Sequence, residues 1–240
     1  MPKFFVEDFS GLPQITGPDA AHIARSLRMR VGESLTVCDT KRMEYDCKIE
    51  RITEDTVYLE IVDTHPNRTE PQIQVTLFMC LPKADKADQI IRQAVELGVA
   101  CVVPVLSERC VSRPDEKSMA KKVARWQKIA AEAAGQSGRG VIPQVKDCVS
   151  FAQCAQALQG FDLSLFFWEL GGQPLTELPI KEAKTLAIIT GPEGGFGAEE
   201  ADFIQQAGGR TATLGPRILR AETAPVAALS AVLLLAGEMQ

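Results

Sequence analysis

The 240-residue sequence has little histidine, no paired cysteine motif and no long hydrophobic run. His22 and His65 are its only histidines, which excludes H-E-x-x-H zinc chemistry and disfavours a Ser-His-Asp or Cys-His mechanism. None of the seven cysteines forms a C-x-x-C pair, which argues against a zinc ribbon or a thioredoxin-like site. We therefore predict no metal site and interpret the cysteines as buried free thiols.

Charge and hydropathy narrow the class of protein further. The formal net charge of −5 excludes nucleic-acid binding through overall positive charge, although a local basic surface is compatible with it. The longest uncharged apolar run, Thr223–Gly237, contains Pro225 and is shorter than the roughly 18 residues that a membrane span needs. The first residues lack the apolar core of a signal peptide. We expect a cytoplasmic protein that does not bind membranes.

The sequence pattern changes near residue 70, which predicts two domains, 1–70 and 73–240. In the first domain, apolar and polar residues alternate as in half-buried strands. These strands are predicted at Ser34–Asp39, Tyr45–Ile52 and Thr56–Val62. One helix is predicted near Asp19–Met29, and the polar, proline-containing segment Asp63–Gln72 is predicted to be a linker. The first domain is therefore predicted to be a small β-barrel.

From Ile73 onward, predicted strands and helices alternate. The strands are predicted at Ile73–Leu81, Val99–Leu106, Leu163–Trp168, Thr185–Thr190 and Thr211–Leu214. The helices are predicted at Lys86–Leu97, Lys117–Ala134, Ala198–Ala207 and Thr223–Glu238. This alternation predicts an α/β fold, with a mostly parallel sheet covered by helices on both faces.

Two unusual loops follow strands of this predicted sheet. Residues 186–197 read LAIITGPEGGFG, and residues 214–224 read LGPRILRAETA. The dense glycines of the first loop indicate positive φ angles or a close approach of the backbone to another group. Ligands of parallel α/β sheets bind at the carboxyl edge, where both loops must lie. We predict that the two loops together form a ligand site.

The residues around the glycine loop limit which ligand it binds. No lysine follows Gly197, so the loop is not a P-loop, and Glu200 stands where a dinucleotide fingerprint needs glycine. Acidic residues in the first turn of the next helix would also repel a phosphate. A neutral or cationic ligand fits better, and the sulfonium of S-adenosylmethionine tolerates a carboxylate such as Glu193. The alternative is a tight turn selected for packing.

The loop sequences GPEGGFG at 191–197 and LGPRILRAETA at 214–224 resemble the C-terminal signatures of a known family. It is the ribosomal RNA small-subunit methyltransferase E family, of the SPOUT class of knotted methyltransferases. Four further segments are similar to the family. The first combines Lys83 and Lys86 with residues 94–99 (AVELGV), and the second combines Pro104 with residues 107–109 (SER). The third is 131–139 (AEAAGQSGR) followed by Pro143, and the fourth is His22–Arg28. The resemblance covers nearly the whole chain. Ser26 is a mild departure, because a bulkier residue often precedes the Leu-Arg pair.

The resemblance implies a fold and an activity that composition does not reveal. The C-terminal sheet would form a trefoil knot of the SPOUT type, and the N-terminal barrel would be PUA-like and help to hold RNA. The family acts as a homodimer on 16S ribosomal RNA or the small ribosomal subunit. It transfers a methyl group from S-adenosyl-L-methionine to N3 of a single uridine, the position usually numbered 1498, and leaves S-adenosylhomocysteine.

Methyl transfer to uridine N3 needs an anionic nucleophile, because two carbonyl groups delocalise the lone pair of the neutral imide. Arg220 is the leading candidate for stabilising that charge and Arg217 the second, because a guanidinium stays charged. An ion pair between Arg220 and Glu222 is the alternative interpretation. An adjacent arginine makes Glu222 a weak base, so we expect Glu222 to orient Arg220 or to cap the final helix. Water or arginine-assisted ionisation would then remove the proton.

The resemblance assigns cofactor contacts to three loops that follow strands. The predicted contacts are Glu169, Leu170, Gly171, Thr190, Gly191, Pro192, Glu193, Gly194, Gly195, Leu214, Gly215, Ile218 and Leu219. Leucine and isoleucine beside glycine suit a flat adenine between apolar walls.

Basic residues recur in two places, at helical spacing from Lys117 to Lys128 and near Arg28. We predict RNA contacts at Arg25, Arg28, Arg30, Arg109, Lys121, Arg125 and Arg139. The alternative is a solvated helix face without a partner. The C-terminal helix is apolar nearly all round, so it is buried either in a subunit interface or in the core of a monomer.

Two other classes of function stay open at this point. A noncatalytic RNA-binding or ribosome-assembly protein would retain the same fold without binding S-adenosylmethionine. A nucleotide-binding enzyme of another type would instead retain ATP or NADP.

Overall fold

The computed structural model describes residues 1–6, 9, 11–39 and 42–239, where the chain divides into two compact units. The first unit comprises Met1–Glu70 and Ala134–Ile142. The second comprises Pro71–Ala133 and the chain from Pro143 onward. Residues 134–142, which we predicted in the second domain, therefore belong to the first unit. Gln240, the last residue of the predicted second domain, lies outside the described residues.

The first unit is built on a nearly closed, barrel-like sheet of five strands. Its strands are β1 (Lys3–Val6), β2 (Gln14–Thr16), β3 (Ser34–Asp39), β4 (Met43–Ile52) and β5 (Thr56–Pro66). Their order in the sheet is β1-β3-β4-β5-β2, and every pairing is antiparallel except that of β1 with β3. The core contains Phe4, Phe9, Ile15, Ala20, Ile23, Leu35, Val37, Cys47, Ile49, Val57 and Leu59. The alternation of apolar residues in β3 to β5 thus marks their inward faces.

Two predictions for the first unit were wrong in detail. The helix predicted near Asp19–Met29 is the short helix α1 (Gly17–Ala21), followed by one π-helical turn at His22–Ser26. The predicted linker is partly strand, because β5 continues to Pro66 and pairs there with Met43 of β4. Cross-strand pairing with β4 therefore outweighs the polar, turn-like composition of that segment.

A buried ion pair joins residues 134–142 to the end of the barrel segment. Arg139 donates from Nε to Glu70 Oε1 at 3.1 Å and from Nη2 to Glu70 Oε2 at 2.6 Å. The backbone N–H groups of Gly140 and Val141 also donate to Glu70 Oε1. Because only 4% of Arg139 is exposed, its guanidinium is not presented at the surface. The RNA contact that we predicted for Arg139 is therefore not supported.

The second unit alternates strands and helices as predicted. Its strands are β6 (Gln74–Cys80), β7 (Cys101–Leu106), β8 (Gln144–Val145), β9 (Val149–Ser150), β10 (Leu163–Phe167), β11 (Gln173–Pro174), β12 (Thr185–Thr190) and β13 (Arg210–Thr213). Its helices are α2 (Lys86–Leu97), α4 (Phe151–Ala157), α5 (Ala198–Gln206), α6 (Ala224–Ala236) and, as far as Ala133, α3 (Glu116–Gln136). Helix α4 and the two-residue strands β8, β9 and β11 were not predicted. All four are too short to show a clear hydrophobic periodicity.

The strands of the second unit form one parallel sheet. Their order is β11-β13-β10-β12-β6-β7-β8, and β9 also pairs with β7. All described pairings in this sheet are parallel. Every residue of β10 is buried, and successive side chains of a strand point to opposite faces, so both faces of the sheet are covered there. The prediction of a parallel sheet covered on both faces is confirmed for this strand.

The apolar C-terminal helix α6 packs against α2, β6 and β12. Its buried residues are Pro225, Ala228, Leu229, Val232 and Leu233. Leu234 on the same helix is 58% exposed, so this unit does not bury α6 on all sides. No helix among the described residues is long and apolar enough to cross a membrane.

We expect Arg139→Met to destabilise the first unit by about 3–5 kcal/mol, because it leaves the Glu70 carboxylate buried without its cation. Urea unfolding monitored by circular dichroism measures this change. Arg68→Met is the matched control, since Arg68 is exposed and its removal should change stability by less than about 0.5 kcal/mol. Equal stability of the two variants would contradict the structural role of the pair.

Candidate active site

Three loops meet at the carboxyl edge of the parallel sheet. They follow β10, β12 and β13, which are neighbours in the order β13-β10-β12. A cavity of about 870 Å³ lies among these loops. Every predicted cofactor contact lines this cavity except Thr190, and Arg217 and Arg220 line it as well. The structure therefore confirms that the two glycine-containing loops are neighbours that enclose one cavity.

The loop after β12 depends on glycine at specific positions. Gly195 has φ +63°, and a Cβ atom there would overlap the Glu169 carboxylate. Glu169, on the loop after β10, accepts a hydrogen bond from the Phe196 backbone N–H at 3.3 Å. A Cβ on Gly191 would lie 2.9 Å from the Phe196 ring. The glycines thus allow the loop after β12 to fold closely on itself and the Glu169 side chain to approach its backbone.

The segment after β7 is also hydrogen-bonded to the glycine loop and to the helix that follows it. Glu200, which is 8% exposed, accepts hydrogen bonds from the backbone N–H groups of Gly197 at 3.0 Å and Glu108 at 2.9 Å. Arg109 donates from Nη1 to the Gly194 carbonyl oxygen at 3.0 Å. Arg109, which we predicted as an RNA contact, therefore contacts the glycine loop in this structure.

Lys86, the first residue of α2, connects two carboxylates at the cavity. Its Nζ lies 3.0 Å from Glu193 Oε1 and 2.9 Å from Glu222 Oε2. Lys86 contributes to the family resemblance, but no role in the site was predicted for it from the sequence. No signal in one sequence could find this bridge, because its three members lie on separate segments of the chain.

The structure contradicts one of the two roles predicted for Glu222, the cap of the final helix. Among the described residues, Glu222 forms its ion pair with Lys86, and none is found between Glu222 and Arg220. Helix α6 begins after Thr223, and no side chain caps it. Glu222 therefore neither caps the final helix nor pairs directly with Arg220. The guanidinium groups of Arg217 and Arg220 form no ion pair within the described part of the chain.

The bridge shifts the pKa values of its three members. The Lys86 hydrogen bond, with smaller contributions from the Glu222 backbone and the charge of Arg220, lowers the pKa of Glu222. Partial burial favours a higher pKa for Glu193, but hydrogen bonds from Lys86 and backbone N–H groups outweigh burial and lower that pKa. The pKa of Lys86 is raised, more by Glu222 than by Glu193. All three groups are therefore charged at neutral pH.

Thr190 is the predicted cofactor contact that does not line the cavity. It ends β12 directly before Gly191 and is 1% exposed. Its hydroxyl oxygen has no hydrogen-bond partner among the residues that the structure describes. Thr190 therefore lies beneath the glycine loop.

The remaining residues that we predicted to contact RNA are divided between the two units. Arg25, Arg28 and Arg30 are exposed at and after the π-helical turn of the first unit. On α3, Lys121 is exposed, whereas Arg125 donates to Asp88 at 2.6 Å and to Asp85 at 3.3 Å. The charge of Arg125 is therefore partly neutralised within its own unit.

We expect Gly195→Ala to destabilise the second unit by about 1–2 kcal/mol or more, because alanine is strained at positive φ and its Cβ would displace Glu169. Thermal unfolding measures this loss. Gly160→Ala is the control, because no atom lies within 4 Å of the added Cβ and φ is not in the left-handed region. A Gly195→Ala protein as stable as the control would show that the loop does not need this conformation.

The ion pairs at Lys86 also predict a pH dependence. The stabilisation from Glu193 and Glu222 is complete above their unfolded pKa of 4.5 and is lost as the pH falls through their lowered folded values. The stabilisation from Lys86 is complete below 10.5 and is lost as the pH rises through its raised folded value. The bridge should therefore persist across the neutral range.

Carbon-13 NMR titration of the glutamate carboxyl groups tests this prediction. Both midpoints should lie below 4.5 and should rise in Lys86→Met, because the ammonium no longer favours the charged form. Lys181→Met removes an exposed lysine elsewhere in the unit and should leave both midpoints unchanged. Midpoints that do not respond to Lys86→Met would mean that the bridge is absent in solution.

Family models of known proteins match segments in both units. Residues 68–233 match the RNA methyltransferase domain family, and residues 15–62 match the RNA methyltransferase PUA domain family. Ribosomal RNA small subunit methyltransferase E of Bacillus subtilis (strain 168) is 37% identical over 228 residues, which cover 91% of this chain and 88% of the relative. The Synechocystis protein of the same name is 30% identical over 222 residues, which cover 91% of this chain and 71% of the relative.

Solved structures show the same similarity over the whole chain. The Neisseria gonorrhoeae ribosomal RNA small subunit methyltransferase E bound to S-adenosyl methionine has a TM-score of 0.88 and 30% identity, with 98% of each chain covered. A Legionella pneumophila methyltransferase in complex with the bound cofactor has a TM-score of 0.88 and 29% identity, with 98% of this chain and 97% of that chain covered. The chain therefore belongs to the ribosomal RNA small subunit methyltransferase E family.

Proposed function

We propose that this chain transfers a methyl group from S-adenosyl-L-methionine to N3 of a single uridine in 16S ribosomal RNA. The observation that carries the proposal is the cavity between the glycine-containing loops, with the guanidinium groups of Arg217 and Arg220 at its wall and without an ion pair among the described residues. Family membership supports the substrate class. The uridine position is the one that the family resemblance implies.

The cavity fits the methyl donor in size and chemistry. Its volume of about 870 Å³ lies within the range of small-molecule sites. Leu214, Ile218 and Leu219 supply apolar surface for a flat base, and backbone groups of Gly191–Gly195 can bind its polar edge. The Glu169 and Glu193 carboxylates are compatible with a sulfonium. Bound S-adenosylmethionine supplies an electrophilic methyl group, and two similar proteins have been solved with this molecule bound.

Arg220 acts on the acceptor base in this proposal. Loss of the N3 proton places negative charge on uracil O2 and O4, which a fixed guanidinium stabilises. Arg217 is the second candidate for this role. Glu222 is unsuited to accept the proton, because Lys86 lowers its pKa. The N3 proton is therefore released to solvent when the anion forms beside Arg220.

We propose that exposed basic residues contact the RNA backbone. The candidates in the first unit are Arg25, Arg28 and Arg30, and all three lie within the PUA domain match at residues 15–62. Lys121 on α3 is a further candidate, with Arg125 contributing less because of its aspartate partners. Each lysine or arginine that binds a phosphate would steepen the salt dependence of binding by about one unit.

Three further properties are proposed from the family resemblance. The protein acts as a homodimer in the cytoplasm, and the exposed Leu234 on the apolar helix α6 is consistent with a subunit interface. The second unit forms a SPOUT-type trefoil knot. In support, β12 and β13 follow each other along the chain, yet β10 lies between them in the sheet.

We expect Arg220→Ala to lower the rate of methyl transfer by about a hundredfold to a thousandfold, the cost of removing one charge-stabilising donor. The assay measures labelled methyl incorporation into small ribosomal subunits that lack this modification. Mass spectrometry of nucleosides from the product should identify N3-methyluridine. Arg210→Ala is the control, because Arg210 is exposed on β13 outside the cavity wall.

Wild-type turnover by Arg220→Ala would contradict the assignment of Arg220. Calorimetry with S-adenosylmethionine separates the enzyme from a noncatalytic RNA-binding protein. Absence of binding heat together with tight RNA binding would replace the proposed function with the noncatalytic one.

A further inference from the structure

We infer that Lys86 is a positioning residue of the methyl-transfer site, which holds Glu222 away from Arg220 and so keeps the Arg220 guanidinium available to the acceptor base. This inference rests on the proposed function. It adds a residue of α2 to a site that the sequence analysis built only from the loops after β10, β12 and β13.

The geometry places one ammonium between two carboxylates from different loops. Lys86 Nζ lies 3.0 Å from Glu193 and 2.9 Å from Glu222. The exposed fractions of the three side chains are 29%, 24% and 22%, so water screens the bridge only in part. Glu222 lies two residues after Arg220, and its ion-pair partner among the described residues is Lys86.

Lys86 is itself fixed by the elements around it. Its helix α2 buries Ala87, Ile90 and Ile91 against the rest of the unit. The preceding loop is held on the same carboxylate, because the Lys83 backbone N–H lies 3.1 and 3.2 Å from the two oxygens of Glu193. Lys86 therefore provides a charge at a defined position.

The loop that carries Arg220 is less firmly anchored than helix α2. Residues 214–220 belong to no helix or strand. Gly215, Pro216, Arg217 and Ile218 of this loop are all exposed. An anchor at Glu222 thus restrains the end of the loop at which Arg220 lies.

Without the Lys86 ammonium, two carboxylates would face each other beside an arginine. Electrostatic attraction would then favour an ion pair between Glu222 and Arg220, since opposite charges within about 4–6 Å stabilise each other. Such a pair would withdraw the guanidinium from the uracil oxygens. Lys86 prevents this competition because it already occupies the Glu222 carboxylate.

The test compares Lys86→Met, Lys86→Arg and the double variant Lys86→Met/Glu222→Gln. We expect Lys86→Met to lower kcat by about a hundredfold, the scale of a misplaced catalytic group, with KM changed less than about threefold. Lys86→Arg should stay within about tenfold of wild type, since it retains the cation. The double variant should regain about tenfold over Lys86→Met, because glutamine cannot neutralise Arg220.

Hydrogen–deuterium exchange of the cofactor-free protein supplies a readout that does not depend on activity. Exchange in peptides covering 214–223 should increase in Lys86→Met and should match wild type in Lys86→Arg and in the control Lys181→Met. Lys86→Gln replaces Lys86→Met in all measurements should the methionine variant fail to fold.

Three results would each overturn the inference. They are a Lys86→Met enzyme with wild-type kcat, a double variant no faster than Lys86→Met, and unchanged exchange in 214–223. A wild-type protein that forms no N3-methyluridine would instead contradict the proposed function, and the exchange data would still test the role of Lys86.

Discussion

The parallel pairing of β10 with both β12 and β13 is the constraint on which the site depends. Hydrogen-bonded strands lie about 4.8 Å apart, so the ends of β12 and β13 are separated by on the order of 10 Å. Their loops must emerge side by side with the β10 loop between them. A cavity at this edge follows from the strand order, and the glycines of 191–197 allow its walls to approach closely.

Electrostatics then determines which groups in the cavity wall are free to act. Glu200 and Glu193 accept hydrogen bonds from neighbouring segments, and Glu193 and Glu222 form ion pairs with Lys86, so these charges serve to join loops. Arg217 and Arg220 have no such partner among the described residues and line the cavity. The cavity wall therefore carries two cations without an ion pair among the described residues, which suits a reaction that develops negative charge on the acceptor.

Local patterns in the sequence predicted the elements well and the long-range contacts poorly. The bounds of α2 and β12 were predicted without error, because both have a clear period and clear ends. The burial of Arg139 was not predicted, because its partner Glu70 lies 69 residues upstream. Lys86 was overlooked for the same reason. Periodicity reports on neighbours along the chain, whereas burial and ion pairing are decided by segments that only folding brings together.

The inclusion of residues 134–142 in the first unit also bears on the order of synthesis. The ribosome makes Glu70 long before Arg139, so the barrel segment first appears without the guanidinium that pairs with Glu70 in the folded unit. Domains generally form in order as they are translated, from the amino terminus onward. This unit departs from that order, because its last structural piece leaves the exit tunnel only after β6, β7 and most of α3 have been made.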